Sequence, residues 1–332
     1  SVCRGCLVVI LAAPNIGPRP SKVNVPARPT SLASRAGIRY LFGMRREPIP
    51  LRTFGDPRGR GAASNPGNRF ELIELDLDGD WVDGEVLRAG EEGESWSPAE
   101  RTRYYRDHTR GIIARNQSPD IGFDASINPY RGCEHGCIYC FARPFHEYLG
   151  FSAGIDFETK ILVKPDAPQL LRNELMKKSY TPETIVISGV TDCYQPVERQ
   201  MELTRRILQV CLKYKHPVSL ITKNSLIRRD IDILKQLASH NLVHVTLSIT
   251  GVDEKIRQIL EPRTASYRSR IETVKLLVDN GIPCGVNVAP IVPGINNAEI
   301  PEVLEKVGAA GAWSAGMIIV RLNGAIGKIF KD

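Results

Sequence analysis

Asn128-Pro129-Tyr130-Arg131-Gly132-Cys133-Glu134-His135-Gly136-Cys137-Ile138-Tyr139-Cys140-Phe141 sets three thiols within eight residues, at C-x3-C-x2-C spacing. Gly132 and Gly136 loosen the backbone between them, so three sulfurs can wrap one face of a cubane iron–sulfur cluster. Three protein ligands leave one iron open, and a fourth thiolate would block small-molecule coordination there. The competing reading is a structural zinc site of Cys3His type that uses His135. Zinc sites usually draw their ligands from two separate knuckles. No second knuckle lies near this one, and His135 is crowded between two of the cysteines.

Around this loop the chain alternates strand-like and helix-like segments. Residues 126–128, 184–190, 218–223, 244–250, 284–289 and 315–322 are short, β-branched or apolar, and flanked by turn residues, as the buried strands of a parallel sheet should be. Between them, Leu203, Ile207, Val210, Cys211 and Tyr214 fall on one helical stripe, as do Ile231, Leu234, Leu237 and Ala238, and Ile300, Val303, Leu304 and Val307. Asp166 before Ala167 and Pro168 marks a further helix start. Six βα units predict an α/β fold, a partial TIM-like barrel with its chemistry at the C-terminal ends of the strands. A doubly wound open sheet is the alternative. Only ten residues follow the sixth strand, so its covering helix is expected to be missing and the chain to be C-terminally truncated.

The head of the chain reads differently. Residues 1–60 hold 11 Lys/Arg against 2 Asp/Glu, while the remainder holds 33 against 35, so the net charge of +7 belongs to the head. A globally basic nucleic-acid surface is therefore not supported for the main domain. Residues 1–68 are rich in Pro, Gly, Arg and Ser without sustained periodicity, and they are expected to be disordered. Residues 69–117 form an N-terminal extension and 118–332 the barrel. Residues 70–77 suggest a strand. Ser97, Pro98 and Glu100 suggest a helix start carrying Arg101, Arg103, Arg106 and Arg110. That arginine-rich face is read chiefly as solvated, with a nucleic-acid or anionic-substrate contact as the alternative.

Eight cysteines are unevenly placed, with one tight cluster. A disulfide scaffold would spread pairs through a small secreted chain, so the cluster reads as a metal site in a reducing cytoplasm. The pair Cys3 and Cys6 has nothing nearby to complete a site. The apolar stretch 7–13 is too short to span a bilayer, and no membrane partner is expected.

The cysteine motif resembles that of the radical S-adenosylmethionine (SAM) superfamily. Residues 118–322 further resemble the branch containing spore photoproduct lyase and its uncharacterised relatives. Supporting signatures are Ser126-Ile127-Asn128-Pro129, Thr191-Asp192-Cys193-Tyr194-Gln195-Pro196, Thr222-Lys223, Leu260-Glu261-Pro262-Arg263 and Val288-Ala289-Pro290-Ile291-Val292-Pro293-Gly294. The resemblance implies a [4Fe-4S] cluster on Cys133, Cys137 and Cys140, with SAM chelated at the open iron. It also implies a reducing electron donor such as flavodoxin or ferredoxin. One electron would cleave SAM to a 5′-deoxyadenosyl radical that abstracts hydrogen from a substrate, nucleic acid or protein, that the motifs do not identify. The alternative function is a metal- or cluster-stabilised nucleic-acid-binding protein without catalysis.

Residue by residue, the resemblance puts Tyr139 near the SAM adenine, Thr191 and Asp192 at its amino group, and Lys223 at its carboxylate. Ser248 falls at ribose or carboxylate, and Asn287 and Ala289 near adenosine. The bland readings are that Asp192 caps a helix, Tyr139 is core and Lys223 is a solvated strand end. Spore photoproduct lyases carry a hydrogen-donating cysteine just before the Ser/Thr-Asp pair. This chain has Gly189 there, which puts thymine-dimer repair in doubt and leaves Cys193 as the substitute catalytic thiol. Cys211 and Cys284 read as buried small apolar residues.

Overall fold

The computed structural model describes residues 7–9, 60–62, 64–70, 102–116 and 122–331. In chain order its strands are β1 (Leu7–Val9), β2 (Arg103–Arg106), β3 (Ile113–Arg115), β4 (Ala125–Ile127), β5 (Tyr130–Arg131), β6 (Lys160–Val163), β7 (Ile185–Ile187), β8 (Val218–Thr222), β9 (Val243–Ser248), β10 (Cys284–Ile291) and β11 (Ala315–Ile319). The helices are α1 (Asp156–Thr159), α2 (Ala167–Leu175), α3 (Glu198–Met201), α4 (Leu203–Lys213), α5 (Ile231–Ser239), α6 (Glu254–Leu260), α7 (Tyr267–Asp279), α8 (Ile300–Ala309) and α9 (Ala325–Lys331). A 3-10 helix spans Arg143–Leu149.

All six strands expected from the apolar runs form, and they pair in parallel in the order β4-β7-β8-β9-β10-β11. Antiparallel β3 and β1 flank this array on β4 and β11. Among the described residues these two edges do not pair with each other, so the architecture is an open, partial (βα)6 barrel. A separate three-stranded sheet, β2-β6-β5, joins β5 and β6 from the connection between the first two barrel strands to β2 from ahead of them.

Alternation along the strands separates two faces. On β8, Val218, Leu220 and Thr222 are buried while Ser219 and Ile221 are half-exposed. On β9, Val243, Val245 and Leu247 are buried while His244 and Thr246 are not. The buried set packs against Ile207 and Leu208 of α4, Leu234 and Leu237 of α5, Val274 and Leu277 of α7, and Val303 and Val307 of α8. Each such side chain contributes about 1.5–3 kcal/mol by leaving water. The half-exposed set lines the concave face, where the parallel strands point their C-terminal ends at the connecting loops.

The helix expected from residue 97 is not found where the chain is described. Its capping residues Ser97, Pro98 and Glu100 lie outside the described residues, but residues 103–106 are strand β2, paired in parallel with β6. Period two wins because Tyr104 is buried with Tyr130, Ile161 and Val163 while Arg103 is exposed. The strand suggested at 70–77 falls almost wholly outside the described residues. So does most of the expected disorder of residues 1–68. Within that segment, Leu7–Val9 pairs with β11, and residues 60–62 and 64–68 run along the core. A helix does follow the sixth strand: α9 buries Ile326 and Ile329, the latter in one apolar cluster with Cys137, Ile138 and Tyr139.

Candidate functional site

The cysteine loop leaves β5 and ends at the 3-10 helix, and its shape depends on its two glycines. Gly132 and Gly136 have φ of +78° and +68°, a region that L side chains rarely adopt. A Cβ at Gly132 would meet the Phe157 carbonyl at 2.9 Å, and one at Gly136 would meet the Glu158 carboxylate at 2.9 Å.

Neighbouring elements clamp the loop along its length. Cys133 N donates to Phe157 O at 2.9 Å, Ile138 N to Leu260 O at 3.1 Å, and Arg263 N to His135 O at 3.2 Å. Gln195 grips both sides of Cys133: its oxygen accepts from Glu134 N at 3.0 Å, and its amide donates to Gly132 O at 3.1 Å. Arg143 donates to Cys137 O at 2.9 Å and to Glu158 Oε1 at 2.6 Å. The same Glu158 carboxylate accepts from the backbone of Gly61 and Ala62 at 3.0 and 2.8 Å. The Glu134 carboxylate is held by Thr102 and Tyr104.

Cys133 and Cys137 are each 7% exposed and Cys140 is half-exposed. Burial pushes all three thiols up, and at Cys133 the neighbouring Asp192, Cys137 and Cys140 add to it. Among the described residues no three Cys, His, Asp or Glu side chains converge closely enough to hold a single ion, but three thiols on one short loop that feel each other's charge fit a larger group that supplies positive charge and takes them as thiolates. They suit an iron–sulfur cluster. His135 does not suit a fourth zinc ligand. Its Nδ1 lies 3.4 Å from Asp192 Oδ2 and its Nε2 lies 3.1 Å from Asn224 Nδ2, so both ring nitrogens are engaged.

Asp192 is the hub of the strand ends. It accepts from Tyr194 N and Thr222 Oγ1 at 2.8 Å and from Lys223 N at 2.7 Å, besides its contact with His135. Burial alone would raise its carboxyl, but His135, Lys223 and Tyr194 outweigh that and hold it down at about 2. Four partners occupy the carboxylate that was expected to meet an ammonium. Thr191 likewise turns its hydroxyl to Tyr130 O at 2.7 Å.

Tyr139 is buried and donates its hydroxyl to Glu261, whose carboxylate also accepts from Thr250 at 3.1 Å and Arg270 at 2.5 Å. Arg270 in turn donates to Ser248 O at 2.9 Å. Burial would raise Glu261, but Arg270, Lys223 and Tyr139 outweigh that and hold it at about 2. The Lys223 ammonium stands 5.9 Å from the centre of the Tyr139 ring. Ser248 is opposite Asn287 in the β9–β10 register, and Ala289 lies two residues further along the same half-exposed edge.

Cys193, expected as the catalytic thiol, is wholly buried in the outer core with Tyr194, Ile207 and Leu208, and burial pushes its thiol well up. At Gly189, a Cβ would meet the Phe123 ring at 3.1 Å and Ser126 at 3.2 Å, so that space is already filled. Gln195, Arg143, Glu158, Glu261 and Arg270 were not singled out by sequence. Gln195 and Glu261 lay inside quoted signatures, but Arg143, Glu158 and Arg270 carried no local signal. A cavity of about 440 Å³ is lined by Phe123, Glu183, Thr184, Val186, Ser219, Ile221 and Thr246.

The family model for the radical SAM superfamily matches residues 127–307, which covers the three loop cysteines and every candidate cofactor-binding residue. The chain belongs to the radical SAM superfamily. That family works by SAM-dependent radical chemistry and couples SAM to an iron–sulfur cluster. An uncharacterised protein of Mycobacterium tuberculosis is 33% identical over 217 residues, which is 64% of each chain. A radical SAM Nalpha-GlyT isomerase of Pseudomonas phage M6 is 27% identical over 211 residues, 63% of this chain and 42% of that one. The chain thus spans just under two thirds of the length of the mycobacterial relative. Among solved structures, a spore photoproduct lyase mutant with bound AdoMet and dinucleoside spore photoproduct is similar at TM-score 0.51 and 14% identity, over 68% of this chain and 63% of that one. At this identity the likeness carries the fold alone. Among the described residues, no helix is long and apolar enough to cross a membrane.

Proposed function

We propose that this radical SAM protein holds a [4Fe-4S] cluster on Cys133, Cys137 and Cys140, binds SAM at the strand ends beside it, and abstracts hydrogen from a substrate held at the concave face. When bound, cluster and SAM together supply one electron and a hydrogen-abstracting 5′-deoxyadenosyl group. The chain's own part is to hold and orient. The single observation that carries the reading is a loop clamped from both flanks, by Gln195 and by Arg143, so that its three thiols are carried on one short stretch of fixed backbone.

Tyr139 offers a ring face next to Lys223 for the adenine, and the Lys223 ammonium suits the SAM carboxylate. Glu261 keeps both in position. Asp192 is a positioning residue: it ties His135 of the loop to the ends of β7 and β8. The half-exposed Gly189 and Val190, at the end of β7, offer backbone carbonyls for the SAM ammonium. Ser248, Asn287 and Ala289 border the adenosine.

Anaerobic reconstitution with iron and sulfide tests the reading. A cluster absorbing in the visible, whose electron paramagnetic resonance signal changes when SAM is added, is the expected result. Bound zinc without sulfide, together with oligonucleotide binding, would replace it with a non-catalytic nucleic-acid-binding protein.

A further inference from the structure

The cavity of about 440 Å³ lies on the concave face, and its lining departs from what ordinarily fills a parallel barrel. Such an interior is usually packed in layers by bulky branched side chains. Here adjacent strands bring small or polar groups inward instead. Ser126 pairs with Val186, Val186 with Ser219, and Ile221 with Thr246. Thr246 in turn pairs with Gly285, which has no side chain to offer. The space left falls within the range of about 300–1,000 Å³ usual for small-molecule sites.

The polar groups of this lining are free to bind. The hydroxyls of Thr184, Ser219 and Thr246 have no hydrogen-bond partner among the described residues. Nor has that of Ser126, which is only 6% exposed and stands beside the lining: a Cβ at Gly189 would meet both it and the Phe123 ring. A buried hydroxyl left unpaired costs about 1–3 kcal/mol, which a ligand rich in hydroxyls would offset. Asn116 fixes the rim, donating its side-chain amide to Phe123 O at 3.1 Å and its backbone N–H to Asp124 O at 2.8 Å.

Charge narrows the ligand. The lining holds no Lys, Arg or His, and its Glu183 carboxylate is neutralised by Arg115. Asp124 is left as one exposed carboxylate at the rim. An anion would meet Asp124 with no cation to offset it, and a polycation would find a single unpaired carboxylate. Hydroxyls that both donate and accept, one acceptor carboxylate and one aromatic ring match a neutral polyol, its C–H face on Phe123.

We propose that this cavity binds a neutral saccharide as the substrate. That the saccharide is the substrate rests on the reading above; that it binds does not, because no lining residue is a candidate ligand of cluster or SAM.

Saturation-transfer NMR on the reconstituted full chain tests it. The probes are methyl glucoside, methyl galactoside and methyl riboside, with spermidine and glucose 6-phosphate as charged controls. At least one glycoside should take up saturation, and neither control should compete with it. Ser219→Ala/Thr246→Val removes two free hydroxyls at nearly constant shape and should weaken that glycoside about tenfold or more. Phe123→Leu removes the ring from the rim without altering a strand and should also weaken it, so a double variant that fails to fold leaves the contact readable. Iron, sulfide and SAM binding, measured on the same samples, should match the parent in both variants. No saturation of any glycoside, equal affinity in both variants, or spermidine or glucose 6-phosphate bound in their place overturns the proposal. A parent that lacks iron and sulfide but binds a glycoside fails the cluster reading and keeps the saccharide site.

Discussion

The Arg143 guanidinium meets the Glu158 carboxylate at 2.6 Å with both side chains 0% exposed. This pair lies behind the cysteine loop, and through it the backbone of Cys137, Gly61 and Ala62 shares one anchor. Removing one partner of a buried ion pair strands the other charge. Glu158→Ala should therefore cost about 3–5 kcal/mol in denaturant unfolding. A loss under 1 kcal/mol would mean that the pair does not hold the loop.

The cysteines separate by position. Cys133→Ala, Cys137→Ala and Cys140→Ala should each abolish iron binding after reconstitution, since two thiolates cannot retain the cluster. Cys193→Ala should keep iron, sulfide and SAM cleavage, because its thiol is packed in the outer core. Full iron retention in Cys137→Ala would contradict the ligand assignment, and lost SAM cleavage in an iron-replete Cys193→Ala would restore Cys193 to the site.

At Asp192 two roles give opposite signatures. Asp192→Asn places an amide donor against the Lys223 N–H and His135, where Oδ2 now accepts. A positioning role predicts about 1–3 kcal/mol lost in stability together with reduced iron retention. Direct contact with the SAM ammonium predicts intact iron and SAM affinity weakened about ten- to a hundredfold. Iron content and calorimetric SAM binding, measured on one sample, decide between them.

Tyr139 can be divided into ring and hydroxyl. Tyr139→Phe removes the bond to Glu261 but keeps the face beside Lys223, so stability should fall by about 1–3 kcal/mol with SAM affinity nearly unchanged. Tyr139→Leu should also lower SAM affinity by about tenfold if the ring packs on adenine. Equal SAM affinity in Phe and Leu variants would remove the ring from the site.

One acid-sensitive position lies away from the chemistry. His216 is buried, bonded to Tyr180 at 2.7 Å, and burial lowers it below its ordinary 6.5. A histidine lowered in the folded state is neutral there and gains its proton on unfolding. Its contribution is present above pH 6.5 and is lost as pH falls toward the folded value. His216→Gln should flatten that part of the stability profile. A parent and variant with the same slope below pH 6.5 would exclude His216 as its source.

What sequence by itself determined follows from local chemistry. The cysteine spacing and its two glycines define their own loop, because positive φ at Gly132 and Gly136 is a demand that neighbouring residues answer. The six strands were legible because each buries apolar residues, continuously along β4 and β7 and alternately along β8 and β9, which writes the pattern into consecutive positions. At residues 103–106 the same logic misled, since Arg103-Tyr104-Tyr105-Arg106 shows no clear alternation and the capping residues upstream pointed to a helix. Only the tertiary structure decided which polar groups serve the site. Arg143 and Glu158 are fifteen residues apart, Tyr139 and Glu261 more than a hundred, and none stands out on its own segment. Their pairing is set where strand ends and loops converge, where a buried charge must find a partner whatever its distance along the chain. That same convergence closed Cys193 into the core and occupied Asp192 with four partners, outcomes that no spacing of residues encodes.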